Sequence, residues 1–344
     1  MRRHTTLIIG HFAYNSNKIN GQTIKTYNIY NALKLTSSNE LLTIDTGTNQ
    51  PRIFILFSII FKMLRSKYVI ILPAHNGVKI LLPIIVSIAF FFRCNVYYIV
   101  IGGWLPRIVH ENPYLKAFIR RIKCIYVETF YMKKSLVKYG VNNVEIMKNF
   151  KIFTQVSNIE EYNVSNDFKL CFLARVTEKK GIIDLIDVVN QINQDGPMVK
   201  LDIYGPLDDE FKEKKLFDQM INNSQGVSYR GVIDPNETNK VLSDYTFLVF
   251  PTKFFTEGIP GTIIDAYFSG VPVIASNWQS ANEVVIDGIT GYLYDFDSKT
   301  ELKSKILFGL ENRNMIEIMK RNCIEKSKEY SYKNEIVKIT RYTG

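Results

Sequence analysis

Residues 251–297 read PTKFFTEGIPGTIIDAYFSGVPVIASNWQSANEVVIDGITGYLYDFD, and this segment gives the clearest indication of the fold class. A strand ends at Pro251, a loop rich in glycine and proline follows, and a helix begins near Thr262. The next run, VPVIAS, is apolar and β-branched, which predicts a further strand. Strand, helix and strand in this order predict one βαβ unit of a parallel sheet.

The same alternation extends over most of the chain and predicts two doubly wound α/β halves. Short apolar strands are separated by segments with helical spacing, and this alternation is typical of open parallel sheets. The predicted strands are TLIIG, ELLTID, YVIIL, NVYYIVI, CIYV, VEIM, KLCFLA, KLDIYG, VSYRG, TFLVFP and VPVIAS. The predicted helices include 23–33, 131–139, 182–194, 210–223, 236–243 and 262–269. Ligands of such sheets bind beyond the carboxyl ends of the strands.

A polar, turn-rich segment divides the two halves. It runs NFKIFTQVSNIEEYNVSND, and we expect residues 153–166 within it to form the linker. We therefore predict a first domain over 1–152 and a second over 167–315.

Charge is distributed unevenly along the 344 residues. The net charge is +10, but residues 1–155 carry +16 and the remainder carries −6. A basic half indicates an anionic partner, either a membrane surface or a nucleic acid, although solubility alone remains an alternative. The aromatic residues follow core spacing and form no stacking motif, so we expect no nucleic acid.

The apolar runs IFILFSIIFKML and ILLPIIVSIAFFF lie in this basic half. The second has only 13 residues between Lys79 and Arg93, which is too short for a transmembrane helix. Burial in the core and contact with lipid remain two alternatives for these runs.

The four cysteines are scattered without zinc spacing, and we expect a cytoplasmic protein that binds peripherally to the inner face of the membrane.

The loop before the helix at 262 has the chemistry of a diphosphate site. Its glycines allow a ligand to approach the backbone, and the helix N-terminus offers unpaired N–H groups with a partial positive charge. We expect the ligand that carries this diphosphate to contact Gly258, Ile259, Pro260, Gly261 and Thr262. Two carboxylates flank this segment. Glu257 would lie beside a sugar, and Asp265 would accept hydrogen bonds from ribose hydroxyls.

The segments TEGIPGTIIDAYFSGVPVIAS and EVVIDGITGYLYD resemble the donor site of the family-four glycosyltransferases, which retain configuration and have the GT-B fold. The family has two glutamates there, and this sequence departs from it by having aspartate at position 265. The resemblance makes Glu257 the catalytic candidate. It also implies that residues 316–344 are helices that pack back on the first domain.

Further donor contacts follow from the same resemblance. FLARVTEKKGIIDLIDVV (172–189) is similar to the family's first strand, turn and helix of the donor domain, so Arg175 and Lys180 would neutralise the diphosphate. LDIYGP and VSYRGV correspond to the base pocket, although ordinary core strands are an equal alternative. The candidate pocket residues are Gly205, Arg230, Gly231 and Val232. The loop before Gly21 resembles the family's glycine loop near the diphosphate.

The acceptor side is less well defined. Many relatives have a histidine after the strand that corresponds to NVYYIVI, whereas this chain has Gly102 and Gly103 followed by Trp104. His11 and His75 follow other strands and are further acceptor candidates, with a structural role as the alternative. Asp295 and Asp297 form a D-x-D pattern, but it lies far from the phosphate loop, and we expect neither a metal nor another cofactor.

These observations predict an enzyme that transfers a hexose-type sugar from a nucleotide diphosphate sugar to a saccharide or lipid-linked acceptor, with retention. The family resemblance places it in the synthesis of cell-surface polysaccharide or capsule. Two hypotheses remain beside it. One is a sugar-nucleotide epimerase with the same fold, and the other is a non-catalytic nucleotide-sugar-binding subunit.

Overall fold

The computed structural model describes residues 5–14, 21–48, 50–73, 75–152, 167–196 and 198–343. The chain divides into two compact units. Unit 1 comprises Met1–Ile152 together with Tyr330–Gly344, and unit 2 comprises Phe153–Glu329. The predicted linker at 153–166 lies outside the described residues.

Unit 1 contains a parallel sheet of six strands in the order β2-β1-β3-β4-β5-β6. The strands are β1 (Thr5–Gly10), β2 (Glu40–Asp45), β3 (Tyr68–Ile71), β4 (Asn95–Ile99), β5 (Cys124–Val127) and β6 (Val144–Ile146). The helices between them are α1 (Gly21–Thr36), α2 (Arg52–Arg65), α3 (His75–Phe92), α4 (Leu105–Glu111), α5 (Leu115–Ile119) and α6 (Phe130–Lys138). The strand order reverses between β1 and β3, which places a crevice for ligands at their carboxyl ends.

Unit 2 has a second six-stranded parallel sheet in the order β12-β11-β10-β7-β8-β9. Its strands are β7 (Lys169–Leu173), β8 (Lys200–Tyr204), β9 (Val227–Gly231), β10 (Phe247–Phe250), β11 (Val273–Ser276) and β12 (Gly291–Tyr294). Its helices are α7 (Ile182–Ile192), α8 (Lys214–Asn223), α9 (Thr238–Leu242), α10 (Gly261–Phe268), α11 (Ala281–Val284), α12 (Lys299–Glu311) and α13 (Ile316–Ser327). The order reverses between β7 and β10, whose following loops carry most of the predicted donor residues.

Both sheets are covered by apolar side chains on their two faces, which is why their central strands are continuous apolar runs. In unit 1, residues of β1 alternate between the two cores. Leu7 and Ile9 pack with α2 and α3, whereas Ile8 packs with α1. In unit 2, β7 and β10 are buried at the centre, with Leu170 and Phe247 fully inaccessible to solvent.

The C-terminal segment differs from the expectation that residues 316–344 all return to the first domain. Helix α13 belongs to unit 2, because Ile316 and Met319 are buried in the unit 2 core and Cys323 is buried as well. Only the chain from Tyr330 onward joins unit 1, where the last helix, α14 (Tyr332–Thr343), packs against α1.

Polar contacts hold α14 on unit 1. The Tyr126 hydroxyl donates to the Lys338 carbonyl at 2.7 Å, and the Lys148 N–H donates to the Glu335 carboxylate at 2.7 Å. Ile336 and Ile339 are buried beside them. Unit 1 is therefore assembled from the two ends of the described chain.

Candidate donor and acceptor sites

The loops after β7 and β10 meet at the point where the strand order of unit 2 reverses. The Lys253 N–H donates to the Lys179 carbonyl at 2.9 Å and ties the two loops together. Gly181, with φ of +75°, lies between a short 3₁₀ turn and the first residue of α7. A Cβ atom there would lie 1.9 Å from the Pro251 carbonyl oxygen, so only glycine allows this approach.

Two predicted donor residues form an ion pair across these loops. The Lys180 ammonium contacts the Glu257 carboxylate, which also accepts a hydrogen bond from the Thr252 hydroxyl at 3.2 Å. The ammonium lies 5.3 Å and 5.2 Å from the ring centres of Phe250 and Phe254. Both charged side chains retain about a fifth of their exposure, 21% for Lys180 and 18% for Glu257. A ligand can therefore reach both Lys180 and Glu257, which are held in place by their contacts with each other and with Thr252.

Residues 258–262 lead directly from this pair into α10. Gly258 and Ile259 are buried, Pro260 stands at the N-cap, and the helix begins at Gly261. Among the described residues no side chain caps the helix, and none hydrogen-bonds the buried Thr262 hydroxyl. The first turn of α10 therefore offers polar groups and a positive helix end to an anion.

Asp265 lies inside α10, in a run from Ile263 to Phe268 that is buried throughout. Its exposure is 5%, whereas Glu257 remains accessible. The two carboxylates therefore differ in their surroundings. The contact of Asp265 with a ribose remains a prediction.

Arg175 does not share a partner with Lys180. Its guanidinium donates to the Asp208 carboxylate at 2.9 Å, and the arginine side chain remains 46% exposed. Asp208 also accepts the N–H of Glu210 at 3.0 Å, so it closes a turn. A helix was predicted over 210–223, but α8 begins only at Lys214.

Gly205 and Arg230, two residues of the predicted base pocket, have structural partners. Gly205 adopts φ of +131°, and a Cβ atom would lie 1.9 Å from the Ala174 carbonyl oxygen, so its glycine is required by the neighbouring loop. The Arg230 guanidinium pairs with the Asp202 carboxylate at 2.7 Å. That hydrogen bond raises the pKa of Arg230. The same carboxylate accepts the Tyr245 hydroxyl at 2.9 Å.

Gly231 and Val232 leave space at the end of β9. Gly231 has φ of +78°, and no atom of the described residues lies within 4 Å of the position of a Cβ atom. Val232 is 69% exposed. The end of β9 is therefore open, and its role in binding a base stays a prediction.

The carboxylate of Asp297 is engaged by a lysine. Lys253 lies 2.6 Å from Asp184 and 3.3 Å from Asp297, and these contacts raise the pKa of the ammonium against the opposing effect of burial. Sequence analysis did not single out Lys253 or Asp184. Their only signal was a lysine two residues after the strand TFLVFP.

On unit 1, His11 follows β1 and lies over Gly47. A Cβ atom at Gly47 would lie 2.3 Å from the imidazole, so the glycine makes room for the ring. The adjacent Asp45 accepts N–H groups of Phe12 and Tyr14 at 2.9 Å and of Gly47 at 2.7 Å. Burial opposes the charge of Asp45, but these backbone hydrogen bonds outweigh it and lower the pKa of the carboxyl group.

His75 and the glycine pair after β4 come together around Trp104. The His75 and Trp104 rings meet edge to face with their centres 5.1 Å apart. Gly102 has φ of +78°, and a Cβ atom there would lie 3.2 Å from the indole, while Gly103 is buried. The indole is partly exposed beside His75, and the role of this cluster in binding an acceptor stays a prediction.

A buried ion pair in unit 1 was missed in the sequence. Lys25 of α1 and Glu128, directly after β5, contact each other with side-chain exposures of 4% and 3%. The ammonium also donates to the Val100 carbonyl at 2.9 Å. Gly21 begins the same helix and is exposed. Nothing in the sequence around Lys25 distinguishes it from a lysine on an exposed helix face, so its ion pair with Glu128 could not be predicted.

The sequence of unit 2 matches a known family. Residues 155–330 match the family described as Glycosyl transferases group 1. An uncharacterized glycosyltransferase of Methanocaldococcus jannaschii is 26% identical over 231 residues, which cover 67% of this chain and 57% of the relative. The capsular polysaccharide biosynthesis glycosyltransferase CapM of Staphylococcus aureus is 27% identical over 180 residues, covering 51% of this chain and 46% of CapM. The chain thus spans about half the length of these curated relatives.

A solved structure is similar over nearly the whole chain. The crystal structure of HepE from Anabaena in complex with UDP and glucose superposes with a TM-score of 0.74 and 16% identity, covering 98% of both chains. At this level of identity, the likeness shows the fold.

Proposed function

The chain belongs to the group 1 glycosyltransferase family and has the GT-B fold, and on this premise we propose that it transfers a sugar from a nucleoside diphosphate donor to a saccharide acceptor. The observation that carries this proposal is the Lys180–Glu257 ion pair beside the uncapped start of α10. It combines a cation and a helix N-terminus for a diphosphate with a carboxylate for a sugar.

The diphosphate is the leaving group in this reaction. Its departure adds negative charge, which Lys180, Arg175 and the first amides of α10 stabilise. Arg175 reaches the ligand by exchanging its contact with Asp208 for one with phosphate. The HepE structure contains UDP and glucose, which supports a UDP-sugar as the donor here.

Glu257 stabilises the positive charge that develops at the anomeric carbon. We propose a front-face displacement that retains configuration. The bond from the anomeric carbon to the diphosphate oxygen breaks, and a bond to the acceptor oxygen forms on the same face. The acceptor proton passes to the departing phosphate oxygen. In this reaction neither a metal ion nor another cofactor takes part. We therefore expect sugar transfer to continue in excess chelator.

The acceptor is a saccharide carried on a lipid, and the product enters a cell-surface polysaccharide such as a capsule. The relative CapM, a glycosyltransferase of capsular polysaccharide biosynthesis, supports this role. The acceptor contacts His75, Trp104 and the Gly102–Gly103 turn, with His11 on the neighbouring strand. This places the enzyme in the cytoplasm, bound peripherally to the inner face of the membrane.

A panel of nucleotide sugars tests the proposal. The purified protein is incubated with each donor and a lipid-linked saccharide, with and without EDTA, and the products are resolved by mass spectrometry and anomeric NMR. We expect a glycosylated acceptor with the donor's anomeric configuration and equal yield in EDTA. An epimerised nucleotide sugar, binding without any product, or a requirement for added metal would contradict the proposed reaction.

A further inference from the structure

We propose that an exposed apolar face of unit 1 binds the surface of an anionic lipid bilayer. This face, called the α2 face below, consists of the outward side chains of α2. They are Ile53, Phe54, Phe57, Phe61 and Leu64.

The α2 helix is anchored by its opposite side. Ile59 and Met63 are buried in the unit 1 core, with exposures of 1% and 0%. On the α2 face, Phe57 and Phe61 are each 63% exposed and stand one helical turn apart. Several adjacent large apolar side chains in this state mark a surface that is covered by a partner. Burial in the core therefore holds for one side of the helix, and contact with lipid is proposed here for the other side.

The C-terminal end of α3, which packs beside α2, adds to the same kind of surface. Phe90 and Phe91 are 73% and 80% exposed. Arg93 follows them with φ of +51°, a left-handed backbone that glycine adopts more readily than arginine. An arginine thus stands at a position where the backbone favours glycine, next to two exposed aromatic rings.

The charges around these side chains select the partner. Residues 46–110 contain seven Lys and Arg and not one Asp or Glu. Arg52 and Arg65 stand at the two ends of α2, and both are exposed, as is Arg93. Among the described residues, none of these three arginines forms a salt bridge with a carboxylate. An apolar strip with cations at its ends matches an anionic bilayer, whose headgroups meet the cations while the acyl chains receive the apolar side chains.

The dimensions favour a helix that lies in the interface. The 14 residues of α2 extend about 21 Å, less than the thickness of the hydrocarbon core. No helix in the described part of the chain is long and apolar enough to cross a bilayer. This inference depends on the proposed function only for the presence of a membrane-borne acceptor.

Liposome binding without any sugar nucleotide tests the α2 face, so that its failure leaves the donor chemistry untouched. The full chain is sedimented with vesicles of phosphatidylcholine alone or with phosphatidylglycerol. We expect binding only to the anionic vesicles and its reversal by salt. The triple variant Arg52→Gln, Arg65→Gln and Arg93→Gln should bind roughly a hundredfold more weakly. Its control, Lys212→Gln, Lys214→Gln and Lys215→Gln, removes the same charge from exposed positions of unit 2.

Two further variants separate insertion from simple charge attraction. Phe57→Ser with Phe61→Ser keeps every charge and should reduce binding at least tenfold, whereas Phe130→Ser, at a residue 60% exposed on α6, should not. Arg93→Gly removes a cation while favouring the observed backbone, so it should weaken binding without lowering the melting temperature. Equal loss in the lysine control would overturn the proposal. The proposal would also be overturned if the wild-type protein did not bind vesicles. If, in addition, the wild type were a dimer in sedimentation velocity and the Phe57/Phe61 variant a monomer, the α2 face would be a contact between two copies of the chain.

Discussion

Lys180 and Glu257 form an ion pair although 77 positions separate them in the sequence. One follows β7 and the other follows β10, and the reversal of strand order makes these two loops neighbours. In the proposed reaction the pair performs two tasks. The ammonium meets the leaving diphosphate, and the carboxylate meets the sugar. The pairing also holds each group in place before the donor binds.

Replacing Glu257 should abolish transfer while leaving nucleotide binding intact. We expect Glu257→Gln to reduce kcat by roughly 10²–10³-fold, because a charge that acts mainly in the transition state is lost. The dissociation constant for UDP should stay equal or fall, since Lys180 no longer shares its charge with a carboxylate. Steady-state kinetics and calorimetry measure the two effects. Glu237→Gln, at the exposed residue directly before α9, is the matched control, and near wild-type turnover of Glu257→Gln would refute the assignment.

Arg175 and Lys180 should recognise the diphosphate and not the nucleoside. Charge-assisted hydrogen bonds contribute about 1.5–3 kcal/mol, so each alanine variant should weaken UDP binding about 10- to 150-fold and uridine binding little. The loss should be larger for Lys180, which is 21% exposed against 46% for Arg175. Lys200→Ala provides a control, because Lys200 is the first residue of β8 and lies at the amino ends of the strands, whereas Arg175 and Lys180 follow the carboxyl end of β7. Equal losses for uridine and UDP would show that neither residue meets phosphate.

Gly181 and Gly231 form a matched pair for the geometry of the donor loops. Both have a left-handed backbone, φ of +75° and +78°, but only Gly181 lies against the backbone of a neighbouring loop. Alanine at either position should cost about 1–2 kcal/mol for the backbone alone. At Gly181 the clash with Pro251 should add about 1–3 kcal/mol of destabilisation. Urea unfolding measures both, and similar values for the two variants would contradict the close approach of the loops.

The Lys25–Glu128 pair should be a major determinant of stability in unit 1. Lys25→Met leaves a carboxylate in the interior and should destabilise the protein by about 3–5 kcal/mol. Adding Glu128→Gln should recover part of that loss, so the double variant is more stable than the sum of the two single changes predicts. The exposed pair Lys328–Glu325 gives the comparison, with an expected effect below about 1 kcal/mol. Additive losses for Lys25 and Glu128 would show that the two groups do not interact.

Most of the fold could be predicted because its signals are local. All five predicted strands of the second half occur, and the apolar runs of β1 and β3 mark strands that are covered on both sides. β12 was not assigned as a strand, since GYLY is short and follows a turn. The start of α8 was placed four residues early, because Asp208 binds Arg175 and a turn amide and does not cap the helix.

The site could be predicted only as a set of residues. Sequence placed Lys180 and Glu257 in one site, but nothing local showed that they pair with each other and that Arg175 pairs elsewhere. Lys25 and Glu128 were missed because a buried ion pair depends on two distant positions. Helix α13 was assigned to the wrong unit for a related reason. Its apolar spacing indicates a helix but does not say which core covers it, and the helix packs against α10 of unit 2.

The placement of α14 has a consequence for how the protein is made on the ribosome. Domains usually fold in order from the N-terminus as they are synthesised, at about 5–20 residues per second. Here unit 2 is a single continuous segment, while unit 1 lacks the covering of Ile336 and Ile339 until residues 330–343 have been translated. The first unit to begin is therefore the last to be completed. Until then, the apolar side chains that α14 covers beside α1 stay open on the nascent chain, and this is where we expect a chaperone to bind.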